Sequence, residues 1–267
     1  MTQTTPTALF WSPQLLQYDF GAYHPMHPSR LDATWRMVRE FGLDARPGVA
    51  VQVPEAAQDS ELGLAHTDEY IRAVRAVSED PGKEIAECGL GTEDTPGYAG
   101  IHEASARLAG GTLQAAQALL DGSAVRAVNF SGGMHHAFAD RASGFCVYND
   151  IAAGIRWLLD NGAERVAYVD VDDTIRATHG YAKEGVGYGY TGVKGLNVQV
   201  ATLSTPTAAP VLAGTRLRKG NSSSAHGAPR LIGDALATAR KAGANFSSEP
   251  HTGKLKALIC TATPGMR

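Results

Sequence analysis

The sequence predicts an α/β protein built on parallel strands, and three observations carry that prediction. First, the short apolar runs at 124–130 and 166–169 are separated by a helix-length stretch at 151–161, the strand–helix–strand spacing of a parallel crossover. Second, the intervening segments carry apolar residues at helical spacing or are Ala-rich, whereas the strand runs are short. Third, polar groups capable of chemistry stand at the carboxyl ends of two of those runs, where open α/β sheets place their ligand sites. These are Ser131-Gly132-Gly133-Met134-His135-His136-Ala137 and Tyr168-Val169-Asp170-Val171-Asp172.

Taken in order, Ala8-Leu9-Phe10-Trp11 reads as a first strand. Residues 23–28 contain two X-Pro steps, which disfavour helix in the residue before each proline. Ser29 is the expected cap of the helix that follows, whose stripe is Leu31, Trp35, Val38 and Leu43. Residues 49–53 form a strand stopped by Pro54. Thr67 is the expected N-cap of a helix whose first turn holds Asp68 and Glu69, favourable at the positive end of the helix dipole. Residues 80–99 read as a loop and residues 101–120 as a long helix interrupted by Gly110-Gly111. Two glycines inside a helix cost roughly 1–2 kcal/mol relative to alanine, so close packing against a neighbour is expected there. Residues 124–130 then form a buried strand that delivers the histidine loop, and Gly162 closes the helix at 151–161.

After Asp172 the pattern weakens. Residues 196–200 read as a strand, 231–242 as an amphipathic helix and 255–260 as a last strand. Residues 186–191 show no periodicity, and residues 202–230 are rich in Ser, Thr, Pro, Gly and Arg with little to bury, which predicts loop or disorder. Charge changes at the same place. Residues 1–173 hold 12 Lys and Arg against 24 Asp and Glu, whereas residues 174–267 hold 12 against 3. The expected organisation is therefore an acidic domain over 1–173 and a divergent basic tail over 174–267, of the kind that a frameshift, truncation or fusion produces and that orders poorly.

Composition narrows the function. The whole-chain charge of −3 favours neither nucleic acid nor a membrane surface as partner. No run of about 18 apolar residues is present, and the first residues carry neither a basic nor an apolar leader segment. The three cysteines, Cys88, Cys146 and Cys260, are widely spaced, which fits a reducing cytoplasm rather than a disulfide framework.

An adjacent histidine pair is by itself more often structural than functional. Here it follows a strand and a Gly-Gly turn, and the neighbouring strand ends in carboxylates. A carboxylate that accepts from an imidazole fixes its tautomer and raises its basicity. Carboxylates at i and i+2 of an extended segment point to one side, so Asp170 and Asp172 both have the option of facing the histidines. His24, His27, His66 and His102 read as loop or surface histidines, and Cys146 as a small buried residue.

Five stretches then fall in an order that resembles the zinc-dependent histone deacetylase family, closest to its bacterial acetoin-utilisation-type members. They are Pro25-Met26-x-Pro28-x-Arg30, Asp94-Thr95-Pro96, Gly132-Gly133-Met134-His135-His136-Ala137, Ser143-Gly144-Phe145-Cys146-Val147-Tyr148-Asn149-Asp150 and Tyr168-Val169-Asp170-Val171-Asp172. The resemblance covers about residues 8–172. It implies an arginase/deacetylase-like three-layer α/β/α fold with a mainly parallel sheet, incomplete at its C-terminal side. It also implies hydrolysis of an acetyl-amide, in an acetylated protein or a small molecule, by zinc-activated water. By position, His135 and His136 resemble the family's proton-handling pair, Asp170 the partner of His135, and Asp172 the first zinc ligand. Gly144 and Phe145 resemble a wall of the acyl-lysine tunnel, Asp94 the rim carboxylate, and Arg30 the arginine of the internal channel.

The family continues Asp-x-Asp-x-His-His-Gly-Asp-Gly, whereas this chain continues Asp172-Asp173-Thr174-Ile175-Arg176. Thr174 stands where the second metal ligand is expected, and neither a third ligand nor the family's carbonyl-polarising tyrosine is evident in 174–267. His179 is a weak substitute. Two rivals remain at this level: a non-catalytic relative that binds acyl-lysine or a small ligand, and a different metallohydrolase on the same scaffold, for which the bridging carboxylates are missing.

Overall fold

The computed structural model describes residues 6–180, 183–189, 191–205, 208–241 and 256–262. The described chain divides into two compact units between Ala163 and Glu164.

In the first unit, β1 (Thr7–Phe10), β2 (Val49–Gln52) and β3 (Arg126–Val128) form a parallel sheet in the order β2-β1-β3. β1 is central, with Thr7 paired to both Val49 and Arg126, and it is correspondingly buried from Ala8 to Phe10. β3 is shorter and more exposed than residues 124–130 promised. It pairs with β1 alone among the described strands, so Val125 and Val128 remain partly in solvent.

The helices of this unit are α1 (Ser29–Glu40), α2 (Asp59–Leu62), α3 (Asp68–Glu79), α4 (Ile101–Leu120) and α5 (Asp150–Asp160). Thr67 Oγ1 accepts from Tyr70 N at 3.3 Å and caps α3, as its sequence predicts. α3 buries Tyr70, Ile71, Val74 and Val77, one helical stripe. Ser29 is not the cap of α1. Pro28 holds that position, and Ser29 Oγ turns instead to His27 Nδ1 at 2.8 Å. α4 is the central helix of this unit. A Cβ at Gly110 would collide with the Glu55 carbonyl, and one at Gly111 would lie 2.9 Å from the Asn129 carboxamide. The two glycines let backbone and loop close directly onto the helix, which offsets their poor helix propensity.

The second unit differs from its sequence reading. β4 (Arg165–Ala177) is far longer than the expected run, and its partner is not β3. The predicted parallel crossover through α5 is therefore not a strand pair here. β4 pairs antiparallel with β6 (Lys194–Thr205), from Tyr168↔Ser204 to Ala177↔Gly195, and parallel with β8 (Lys256–Ala262). β6 also pairs with β5 (Gly187–Tyr188) and β7 (Ala208–Arg218), and α6 (Ala228–Lys241) packs on this sheet. The expectation of loop or disorder across 202–230 is thus overturned by the end of β6, all of β7 and the start of α6. Leu255 of the expected last strand lies outside the described residues.

A polar interior hid these strands. The apolar cluster is small, made of Val169, Val171, Ala201, Ala213, Leu231 and Ala235. Beside it Asp173 and Arg218 pair at 2.8 Å with side chains only 4% and 6% exposed. Asp173 also accepts from Asn197 Nδ2 at 2.8 Å and from Ser224 Oγ at 3.0 Å. Leu212 and Leu217 of β7, by contrast, point to solvent. Removing one partner of a buried ion pair leaves the other charge uncompensated. Arg218→Ala is therefore expected to destabilise the second unit by about 3 kcal/mol, and the paired change Asp173→Leu with Arg218→Met by less. Urea unfolding of the three chains measures both differences.

Candidate active site

The histidine loop is built around a carboxylate. Asp150, fully buried in the first turn of α5, accepts from Gly133 N at 3.0 Å, Met134 N at 2.7 Å and Thr112 Oγ1 at 2.5 Å. Thr112 on α4 in turn accepts from Asn129 Nδ2 at 2.9 Å, and Asn129 Oδ1 accepts from Ser131 Oγ at 2.6 Å. A side chain at Gly132 would strike the Asp150 carboxylate, and Gly133 has φ +91°. The Gly-Gly pair is therefore required by the close approach of its own amides to the buried acid. Burial pushes the Asp150 carboxyl up, while the bonds from Thr112, Gly133 and Met134 pull it back.

Asn149 holds the other half of the loop. Its Oδ1 caps α5 by accepting from Ala152 N at 2.9 Å. Its Nδ2 donates to His135 O at 3.2 Å and Ala137 O at 2.9 Å, the two carbonyls that flank His136. The ring nitrogens His135 Nε2 and His136 Nε2 lie 3.3 Å apart, with ring planes at 78°. Within such a pair one ring donates and the other accepts. His135 is half-buried and His136 exposed.

Gly144 lies against His136, since a Cβ there would sit 2.9 Å from His136 Cβ and Cγ. Gly144 and Phe145 form the two-residue tip of a hairpin, with φ +54° and +66°, and Ser143 and Cys146 exchange both backbone bonds at 3.2 and 2.9 Å. That is the geometry of a type I′ turn. Left-handed backbone at a phenylalanine costs roughly 1–2 kcal/mol. It is held by Tyr18 OH, which donates to Phe145 O at 2.6 Å and whose pKa burial raises well above the ordinary tyrosine value.

Beyond the turn the Phe145 ring meets His24 edge-on, with centroids 4.6 Å apart. Both line a pocket of about 690 Å³ together with Phe20, Tyr23, Pro25 and Asp94. The structure therefore brings Asp94 and Phe145 to one pocket, and Gly144 and Phe145 link it to the histidine pair. Arg30 is not in that lining. It is exposed on α1 and donates to Pro25 O at 3.4 Å and Met26 Sδ at 2.8 Å. Asp170 and Asp172 lie on β4 in the second unit, on the strand face opposite Val169 and Val171, and Asp172 Oδ1 accepts from Asp173 N at 2.7 Å. Among the described residues, no group of three or more His, Cys, Asp and Glu is placed to hold a metal ion. None of the described helices is long and apolar enough to cross a membrane.

Two histidines read as loop or surface residues prove to be buried, each 5% exposed. His66 Nε2 accepts from Asn149 N at 2.8 Å, and His102 Nδ1 meets Tyr148 OH at 2.8 Å. For His102 the signal was legible, because Ser105, Ala106 and Ala109 continue its stripe along α4. For His66 no local periodicity marks it. Cys146 is buried as read, and burial pushes its thiol up to about 12. Phe145→Ala and Phe145→Gly both remove the ring that meets His24, and of the two the glycine variant is expected to be the more stable by about 1 kcal/mol, because glycine adopts the left-handed turn without strain. An alanine variant with the higher urea midpoint would contradict the turn geometry.

Comparison with known proteins places these residues in a family. The Histone deacetylase domain matches residues 24–173. The acetoin utilization protein AcuC of Bacillus subtilis (strain 168) is 40% identical over 168 residues, which cover 62% of this chain and 43% of that protein. AcuC of Staphylococcus xylosus is 36% identical over 174 residues, covering 64% and 44%. A crystal structure of an HDAC homolog complexed with SAHA superimposes with a TM-score of 0.55 and 28% identity, over 63% of this chain and 45% of that one. The chain thus spans less than half the length of the curated relatives it matches, and its α/β fold is deacetylase-like. The matched stretch is more than half of the chain and holds all five motifs, so the protein belongs to the histone deacetylase domain family.

Proposed function

We propose that the protein acts on an acetyl-amide of the acetyl-lysine type, with His135 and His136 as the proton-transfer pair of its hydrolysis. The observation that carries this reading is the 3.3 Å approach of the two Nε2 atoms on a loop that rests against the Gly144-Phe145 turn. Hydrolysis of an amide adds the oxygen of water to the acyl carbon and delivers a proton to the departing amine. One imidazole can accept the first proton and return it to the amine, while its neighbour sets its orientation. In this reading Phe145 and Gly144 pack the acyl-bearing chain, and Asp94 accepts from substrate amides at the pocket rim. The partner is an acetylated protein or a small amide.

Zinc, which the family resemblance implies, supplies an activated water and a polarised carbonyl when bound. The residues of this chain do not fit it. A catalytic zinc takes about three protein ligands, no such group converges among the described residues, and Thr174 occupies the second ligand position. No step is therefore routed through the metal. That misfit favours a second reading, in which the pocket and the histidine pair bind an acyl-lysine or small ligand without turnover.

The deciding assay presents the full chain with an acetyl-lysine peptide, with and without added zinc. Turnover that falls by about a hundredfold or more in His136→Ala supports the first reading; turnover indifferent to that change removes the site assignment. Binding without turnover, weakened about tenfold by Phe145→Ala, selects the second.

A further inference from the structure

Residues 145–150 run beneath a series of side-chain contacts that the proposed chemistry does not use. Tyr18 OH donates to Phe145 O at 2.6 Å and Tyr70 OH to Val147 O at 2.8 Å. His102 bonds the Tyr148 hydroxyl, and His66 accepts from Asn149 N at 2.8 Å. Of these four contacts, that of His66 alone fixes the backbone of a residue whose own side chain holds the histidine loop. Its ring lies between Tyr70 and Tyr148, with centroids 5.2 and 5.3 Å away.

Because Nε2 accepts an amide N–H, the proton of the neutral ring sits on Nδ1. Burial lowers the His66 pKa to about 4, partly offset by the carbonyls of Ala139 and Phe138, so the ring stays neutral near pH 7. A protonated ring would set N–H against N–H at Asn149.

We propose that His66 is a positioning residue for His136. Its Nε2 fixes the Asn149 backbone, and the Asn149 carboxamide fixes the carbonyls on both sides of His136. His66 acts through Asn149. The inference deepens the reading of His136 as a proton carrier, yet its test follows ring and amide geometry rather than turnover, so either can fail alone.

A His66 that served only as filling would be replaced by any ring of similar volume, without effect on His136. The test is nitrogen-15 NMR of the histidine rings and amide exchange in the full chain. In the unaltered protein His66 Nε2 should show an unprotonated nitrogen shift from about pH 6 to pH 8. His66→Gln, which returns an acceptor near the Nε2 position, should keep the His136 ring resonances and the protection of the Asn149 amide. His66→Phe, which fills the volume without an acceptor, should displace the His136 resonances and speed Asn149 exchange about tenfold. Asn149→Ala should reproduce the His136 displacement with His66 intact. His136 resonances unchanged in folded His66→Phe, or displaced equally by Gln and Phe, would overturn the proposal. If His66→Phe does not fold, Asn149→Ala decides, and unmoved His136 resonances there overturn it as well.

Discussion

The first unit depends on one buried carboxylate. Asp150 is shielded from water and accepts from three donors: two consecutive loop amides and a hydroxyl from α4. A carboxyl without water is tolerable only when it is hydrogen-bonded. The requirement works in both directions. The loop must bring Gly133 and Met134 to the acid, and that brings the adjacent histidines to a set position. Asn149, one residue earlier, clamps the carbonyls around His136 and caps the same helix. Two neighbouring side chains at a helix start therefore anchor the whole tandem-histidine loop, and the strained Gly144-Phe145 turn is fitted against it. Strain of this kind persists where surrounding contacts over-determine the backbone, here the Tyr18 bond and the paired amides of Ser143 and Cys146.

The second unit rests on different physics. Its strands bury Asp173, Asn197, Gln199 and Arg218 and leave Leu212 and Leu217 in solvent. A buried ion pair returns little net stability for its desolvation, and the apolar cluster beside it is small. The family match ends at Asp173, where the net charge also changes sign. The family resemblance expects a second metal ligand there, and Thr174 begins a run that forms part of a long antiparallel ladder with β6. A donor set for zinc and a ladder of this register make different demands on the same residues.

Much of the first unit was legible in the sequence because its signals are local. Thr67 before two acids marked α3, and Gly110-Gly111 marked a close approach that the structure shows against Glu55 and Asn129. The motif order gave the family, and with it the residues that meet at the Phe145 pocket. Legibility failed where the determinant is distant in sequence. His66 and Asn149 are 83 residues apart, and nothing near either announces the bond. Residues 202–230 were misread because β7 carries Arg216 and Arg218 on the side where an apolar alternation would be sought. The strand pairing of β4 was misread because a crossover spacing says which partner is reachable, not which competing strand offers the longer ladder.

Both proposed readings, turnover and binding alone, require that the acetyl group be recognised by the Asp150-anchored loop and the Phe145 pocket without help from a metal. The most direct measurement is calorimetric titration of the full chain, in excess chelator, with an acetyl-lysine peptide and with the same peptide unacetylated. The account predicts that the acetylated peptide binds at least about tenfold tighter, a difference of about 1.4 kcal/mol. Equal affinity for the two peptides, or binding that vanishes with the chelator, would contradict it.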